Sequence, residues 1–173
     1  EEALEIFKDI GIQIVDHKVS FNEKQAIEHS SQIGFPLAMK VLSNKILHKT
    51  ETGGVELNIK NLDELNTSFQ KLSDVFQKLK MKSSDEKFLI QKMENGIAEI
   101  ILGYRVDELV GPIVVLGSGG ILSEIYNDKS IRMAPVDITE AKKMINEVKS
   151  LVTITGYRGL PEVDINIIAT AIV

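Results

Sequence analysis

Between Phe35 and Val55 the chain reads FPLAMKVLSNKILHKTETGGV, and this stretch concentrates the side chains able to handle an anion. Lys40 stands inside an apolar run, and Lys45, His48, Lys49 and Glu51 follow before the pair Gly53-Gly54 opens the next one. Lysine ammonium groups neutralise phosphate charge, and a glycine pair lets backbone N–H groups turn toward phosphate oxygens at close range. A lysine within an apolar strand lies on a wetted face or points at an anion, because a buried ammonium without a partner gives up its proton. His48, beside Lys49, is either a surface histidine or a nucleophile or phosphate contact whose imidazole neighbouring cations keep neutral. No G-x-x-x-x-G-K-[ST] occurs anywhere, so the loop is not of the Walker type.

Other chemistry-bearing residues are spread along the second half. Gly117-Ser118-Gly119-Gly120 separates two apolar runs, which suits a tight turn or an anion-binding nest rather than a strand-to-helix dinucleotide fingerprint. Glu99 and Glu124 each interrupt apolar residues; such a carboxylate is exposed by alternation or turned toward a metal. Arg132 and Arg158 are surface arginines or cations for a carboxylate or acyl phosphate. The three histidines are scattered and there is no cysteine, which removes disulfides, thiolate chemistry and histidine or cysteine metal sets. A participating metal would be magnesium, held by carboxylates and phosphates.

These residues need a scaffold, and 173 residues suffice for one large domain or two small lobes with a substantial core. A net charge of −5 argues against general nucleic-acid binding, which requires a basic face. No apolar run approaches a membrane span of about 20 residues. The sequence thus reads as a soluble cytoplasmic protein, with no nucleic acid and no membrane among its partners.

Helical spacing is expected over residues 3–10, stopped by Gly11, followed by a strand at 12–15. Ser20 to Glu23 forms a capping-box pattern for a helix that Gly34 ends. Strands follow at 37–42 and 55–59, and Asn61 to Glu64 caps a helix with Leu65, Phe69, Leu72, Val75, Phe76 and Leu79 on one stripe. The polar stretch 80–86 divides the chain into lobes at residues 1–86 and 87–173. Strands are expected at 88–91, 98–103, 112–116, 121–126 and 131–134, with Asn95-Gly96 as a hairpin turn. Asp137 caps a helix through Val148, and a last helix runs over 163–172. The fold class is α+β, or mixed α/β, in two lobes.

The order of these signals carries more than any one of them. Gly34-Phe35-Pro36, Met39-Lys40-Val41, Ile46 to Glu51 with Gly53-Gly54-Val55, Gln91-Lys92-Met93 and Glu99 to Gly103 come in sequence. Gly111-Pro112-Ile113-Val114, Gly119-Gly120-Ile121 with Glu124, Arg132 to Pro135, and Gly156 to Gly159 continue them. Together they resemble the ATP-grasp domain of NDP-forming acyl-CoA synthetases, relatives of succinyl-CoA synthetase. The resemblance implies an ATP-grasp fold whose two lobes hold a nucleotide in the cleft between them. It implies that Lys40 and Lys49 contact phosphates, with Glu51 beside them, and that Gly53 and Gly54 form the loop closing over them. Gln91, Lys92 and Met93 become the hinge along the adenine, and Glu99 faces the nucleotide. His48 matches the histidine of a phosphoryl relay with a phosphohistidine on a CoA-binding domain or subunit. ATP or ADP and Mg2+ are the implied cofactors, with Glu124 as a metal ligand.

Two departures are expected to matter. The family's C-terminal acidic-x-x-Asn-Pro strand, which supplies further metal ligands, is missing, so the chain reads as a fragment inactive by itself. Val106 and Glu108 flank Asp107 where the family shows an Arg-Asp-Pro turn. The implied activity is ADP-forming acid:CoA ligation of acetate-like acids, and the alternative is a regulatory module fused to a protein acetyltransferase.

Overall fold

The computed structural model describes residues 2–43, 52–78, 86–120 and 123–173, with the backbone alone at 2, 3, 123 and 124. The chain forms two compact units, Glu1–Glu94 and Asn95–Val173.

The first unit opens with α1 (Glu2–Asp9) and builds an antiparallel sheet from β1 (His17–Ser20), β2 (Leu37–Val41), β3 (Val55–Ile59) and β4 (Phe88–Lys92). Their spatial order is β1-β4-β2-β3. Helices α2 (Glu23–Ile33) and α3 (Leu62–Lys78) cover one face. Alternation explains the packing: Leu37, Met39, Val41, Phe88 and Ile90 turn to that face and are fully buried. There they meet Leu65, Phe69, Leu72, Val75 and Phe76 of the stripe read from the sequence of α3, whose last member, Leu79, lies outside the described residues. The cap of α3 is reciprocal: Asn61 Oδ1 accepts from the Glu64 N–H at 2.9 Å, and Glu64 Oε2 reaches one residue past the cap to accept from the Lys60 N–H at 2.8 Å.

Three expectations shift here. Residues 12–15 are not a strand, because the Ile12 N–H returns to the Phe7 carbonyl at 2.9 Å and the ladder with β4 starts only at His17. Ser20 is not the cap of α2. It ends β1, fully buried, and shares a 2.8 Å hydrogen bond with His29 Nδ1. Asn22 caps instead, accepting from the Gln25 N–H at 2.9 Å while Gln25 Oε1 accepts from the Phe21 N–H. The lobe boundary expected at residue 86 also moves, to Glu94/Asn95, since β4 lies between β1 and β2 in the first sheet.

The second unit is a three-stranded antiparallel sheet, β5 (Ile100–Asp107), β6 (Gly111–Ser118) and β7 (Lys129–Met133), in that order. Helices α5 (Ile138–Glu147) and α6 (Ile165–Ile172) follow it in the chain, and α4 is a single turn, Ser123–Tyr126. Val114 and Leu116 of β6 pack with Ala141, Met144, Ile145, Val148, Ala169 and Ile172. The expected strand over 121–126 is replaced at its described end by α4, and β7 takes the place beside β6. Asn95-Gly96 is not the hairpin turn either. That turn joins β5 to β6 and is organised by Asp107, whose Oδ1 accepts from the N–H groups of Leu109 at 3.1 Å and Val110 at 3.4 Å. Arg105 donates to Asp107 Oδ2 at 2.7 Å, and these donors hold the carboxyl below its usual range. An aspartate thus closes the turn, with Arg105 paired to its other oxygen. Among the described residues, no helix is long and apolar enough to cross a membrane.

Arg132 fastens β7 to α5. Its guanidinium donates to Glu140 Oε2 at 3.1 Å and to Glu147 Oε1, while the Ser130 hydroxyl donates to Glu147 Oε2 at 2.6 Å. Glu140 is held below its usual value of 4.5 by Lys143 and then Arg132, and Glu147 by Arg132 and then Ser130. Carboxyls lowered by folding add stability that is complete above the unfolded value and disappears as pH falls through the folded one. Arg132→Met is therefore expected to lower the melting temperature near neutrality. The gap to the parent protein should close on acidification below about 4.5, the carboxyls' usual value. A gap independent of pH between 3 and 7 in a melting series would refute this role.

Candidate functional site

The sheet of the first unit has a second face, opposite α2 and α3, and the residues of interest collect there. In an antiparallel ladder directly paired residues share a face, and every second residue along a strand returns to it. Lys40 pairs with Leu89, which pairs with Val19; one step along, Ala38 pairs with Gln91, which pairs with His17. Since Met39 and Val41 turn to the helices, Lys40, Gln91 and His17 lie on this opposite face. Lys40 is half-buried, and Gln91 is buried at 9% exposure.

The β2–β3 connection returns beside Lys40. Lys40 pairs with Val55, and the Val41 N–H donates to the Gly54 carbonyl at 2.9 Å. Gly53 adopts φ 71, and a Cβ there would meet nothing within 4 Å, so glycine is required for its backbone conformation rather than for space. Lys45, His48, Lys49 and Glu51 lie outside the described residues.

The expected hinge is fastened on several sides. The Lys92 N–H donates to the Asp16 carbonyl at 2.8 Å and the Met93 N–H to the Pro36 carbonyl at 3.0 Å. Lys92 Nζ donates to the carbonyls of Gly34 at 3.1 Å and Phe35 at 2.7 Å, which anchors the turn leading into β2. Met93 Sδ accepts from the N–H of Asn58 at 3.0 Å, where Asn58, at φ 58, sits in an irregularity of the β2–β3 register. The side chains of Lys92 and Met93 thus brace the turn leading into β2, which carries Lys40, and β3, which follows the glycine pair.

In the second unit, Glu99 precedes β5 and is exposed. Its carbonyl accepts from the Gly119 N–H at 2.7 Å, which brings the Gly119-Gly120 turn against it. Glu124 falls on α4 rather than on a strand, and its side chain lies outside the described atoms. Arg158 stands apart, its guanidinium 5.2 Å from the Tyr157 ring centroid, and Arg132 is held by the carboxylates of α5. Among the described residues no three histidine, aspartate or glutamate side chains converge as a metal site. Sequence reasoning passed over His17 because its partner in the row, Gln91, is remote in the chain. His17 Nδ1 is 3.1 Å from the Val15 carbonyl, an acceptor that aims the imidazole.

Comparison with known proteins gives this arrangement a context. A family model described as an ATP-grasp domain matches residues 1–173. The beta subunit of acetate–CoA ligase (ADP-forming) I from Pyrococcus furiosus is 38% identical over 172 residues, 99% of this chain and 74% of that subunit. Acetate–CoA ligase (ADP-forming) I from Archaeoglobus fulgidus is 35% identical over 168 residues, 97% of this chain but 24% of the relative. Among solved structures, acetyl-coenzyme A synthetase 1 of Ca. Korarchaeum cryptofilum in complex with coenzyme A and Ca-AMPCP superposes with a TM-score of 0.88 at 31% identity. The match covers 99% of this chain and 75% of that one. The same synthetase with coenzyme A and Mg-AMPPCP, its phosphohistidine segment pointing towards the nucleotide binding site, matches at 0.77 and 30% identity, over 99% of this chain and 74% of that one.

Proposed function

The chain belongs to the ATP-grasp domain family, and from that premise we propose that it is the nucleotide-binding part of an ADP-forming acid:CoA ligase. ATP-grasp domains bind nucleotide, and the relatives reported above are ADP-forming acid:CoA ligases or the beta subunit of one. The observation that carries the proposal is the 38% identity over 99% of the chain to that beta subunit. The proposed overall reaction is acyl-CoA + ADP + phosphate ⇌ acid + CoA + ATP.

Phosphoryl transfer depends on positioning and charge neutralisation more than on covalent chemistry supplied by the protein. In this reading Lys40 and Lys49 neutralise the phosphates and the Gly53-Gly54 amides close over them. Glu51 is a further nucleotide contact, Gln91 to Met93 border the base, and Glu99 faces the nucleotide. His48, as a neutral imidazole, accepts the phosphoryl group from a phosphohistidine carried by a CoA-binding domain or subunit and passes it in line to ADP. Mg2+ would neutralise phosphate charge; it commonly takes one or two carboxylates with phosphate oxygens, which Glu124 and the nucleotide would supply.

Calorimetry with Mg-AMPPCP on the full-length protein tests the nucleotide site. A charged hydrogen bond to phosphate contributes on the order of 1.5–3 kcal/mol, so Lys40→Ala is expected to weaken binding roughly tenfold to a hundredfold. Unchanged affinity would remove Lys40 from the site.

A further inference from the structure

We propose that Gly119 is a positioning residue for Glu99: its missing side chain is the space that lets the Glu99 backbone and carboxylate lie against the Gly119-Gly120 turn. The proposal rests on the nucleotide-binding reading above and adds to it the device that aims one of its contacts.

The β5–β6 ladder ends at the pair Ile100 and Ser118. One residue further out, the Gly119 N–H donates to the Glu99 carbonyl at 2.7 Å, so the two chains stay together beyond the named strands. A Cβ built on Gly119 would lie 2.8 Å from Glu99 Cβ, 2.9 Å from its carbonyl carbon and 3.0 Å from its carbonyl oxygen. Two of these three atoms are main chain and the third is attached to it, so no side-chain rotation relieves the contact. Any residue larger than glycine must push the Glu99 backbone away and tilt its carboxylate.

Gly120 has a different task. It adopts φ 85, and Glu99 Oε2 would lie 3.5 Å from a Cβ there, an ordinary contact. Its requirement is conformational, whereas that of Gly119 is steric. The carboxylate therefore rests above a glycine turn on an exposed residue, and among the described residues no ion pair holds it. An exposed acceptor fixed from its own backbone suits a donor-bearing ligand arriving from solvent, here the nucleotide.

The experiment measures Mg-AMPPCP affinity by calorimetry for four forms of the full-length protein: parent, Glu99→Ala, Gly119→Ala and the double variant. Coupled neighbours give non-additive effects. Each single change is expected to weaken binding about tenfold, and the double variant to bind no more weakly than Glu99→Ala. A full additional penalty for Gly119→Ala on the Glu99→Ala background would overturn the proposal. So would unchanged affinity in Glu99→Ala, and Lys40→Ala then separates the cases. Weakening there leaves the nucleotide reading standing without Glu99, and no weakening removes both. If Gly119→Ala does not fold, Glu99→Asp decides, because it withdraws the carboxylate by one methylene with the turn intact. It should lose nearly as much affinity as Glu99→Ala, and parental affinity would overturn the proposal.

Discussion

Replacing His48 by alanine in the full-length protein, assembled with the CoA-binding partner proposed above, is expected to lower acid:CoA ligase turnover by roughly a thousandfold or more. The reason is chemical: alanine leaves no atom to carry a phosphoryl group between the partner's phosphohistidine and ADP. Nucleotide affinity should be nearly unchanged, because in the proposed reading lysines and backbone amides supply the binding charge. That split separates His48 from Lys40, whose loss acts on affinity. Labelling the assembly with γ-labelled ATP reads the step directly: the parent protein should carry acid-labile label on histidine, and His48→Ala should carry none on this chain. Full ligase activity in the variant would end the relay assignment.

A second large effect concerns stability. Phe88 is fully buried on a strand paired on both sides, with Ser20 and with Val41. Its ring lies 4.6 Å from the Phe69 centroid in a tilted arrangement and 5.4 Å from that of Phe76, edge to face. Truncating a buried phenylalanine costs about 3–5 kcal/mol, and each aromatic pair contributes about 0.5–1.5 kcal/mol of its own. Phe88→Ala should therefore remove much of a domain stability that is typically only about 5–15 kcal/mol. Phe88→Leu, which stays apolar but forfeits both ring pairs, should cost less, about 1–3 kcal/mol. Denaturant unfolding distinguishes them; a loss below about 1 kcal/mol in Phe88→Ala would mean that the aromatic cluster does not hold the sheet to α3. Because β4 also carries Gln91 and leads into Met93, the alanine variant should bind nucleotide less well at temperatures near its midpoint.

Much of the local structure could be read residue by residue. The stripe of α3, its Asn61–Glu64 cap and the Asp137 cap of α5 all depend on residues within a few positions of one another. The misses share a cause. Ser20 fits a cap by type and spacing, yet burial against His29 commits it to β1 and hands the cap to Asn22. Asn95-Gly96 has the composition of a hairpin turn, but the turn forms where β5 and β6 can extend their ladder, around Asp107.

The ordered motifs of the sequence by themselves determined the family and the α+β class. Only the tertiary structure decided that β4 lies between β1 and β2, that His17, Gln91 and Ala38 form one row beside Lys40, and that Gly119 sits against Glu99. Periodicity and caps arise from contacts a few residues apart, and the chain states them directly. A strand's partner is settled by which distant apolar face it can bury and which distant carbonyls remain to be paired, and no local pattern encodes that choice.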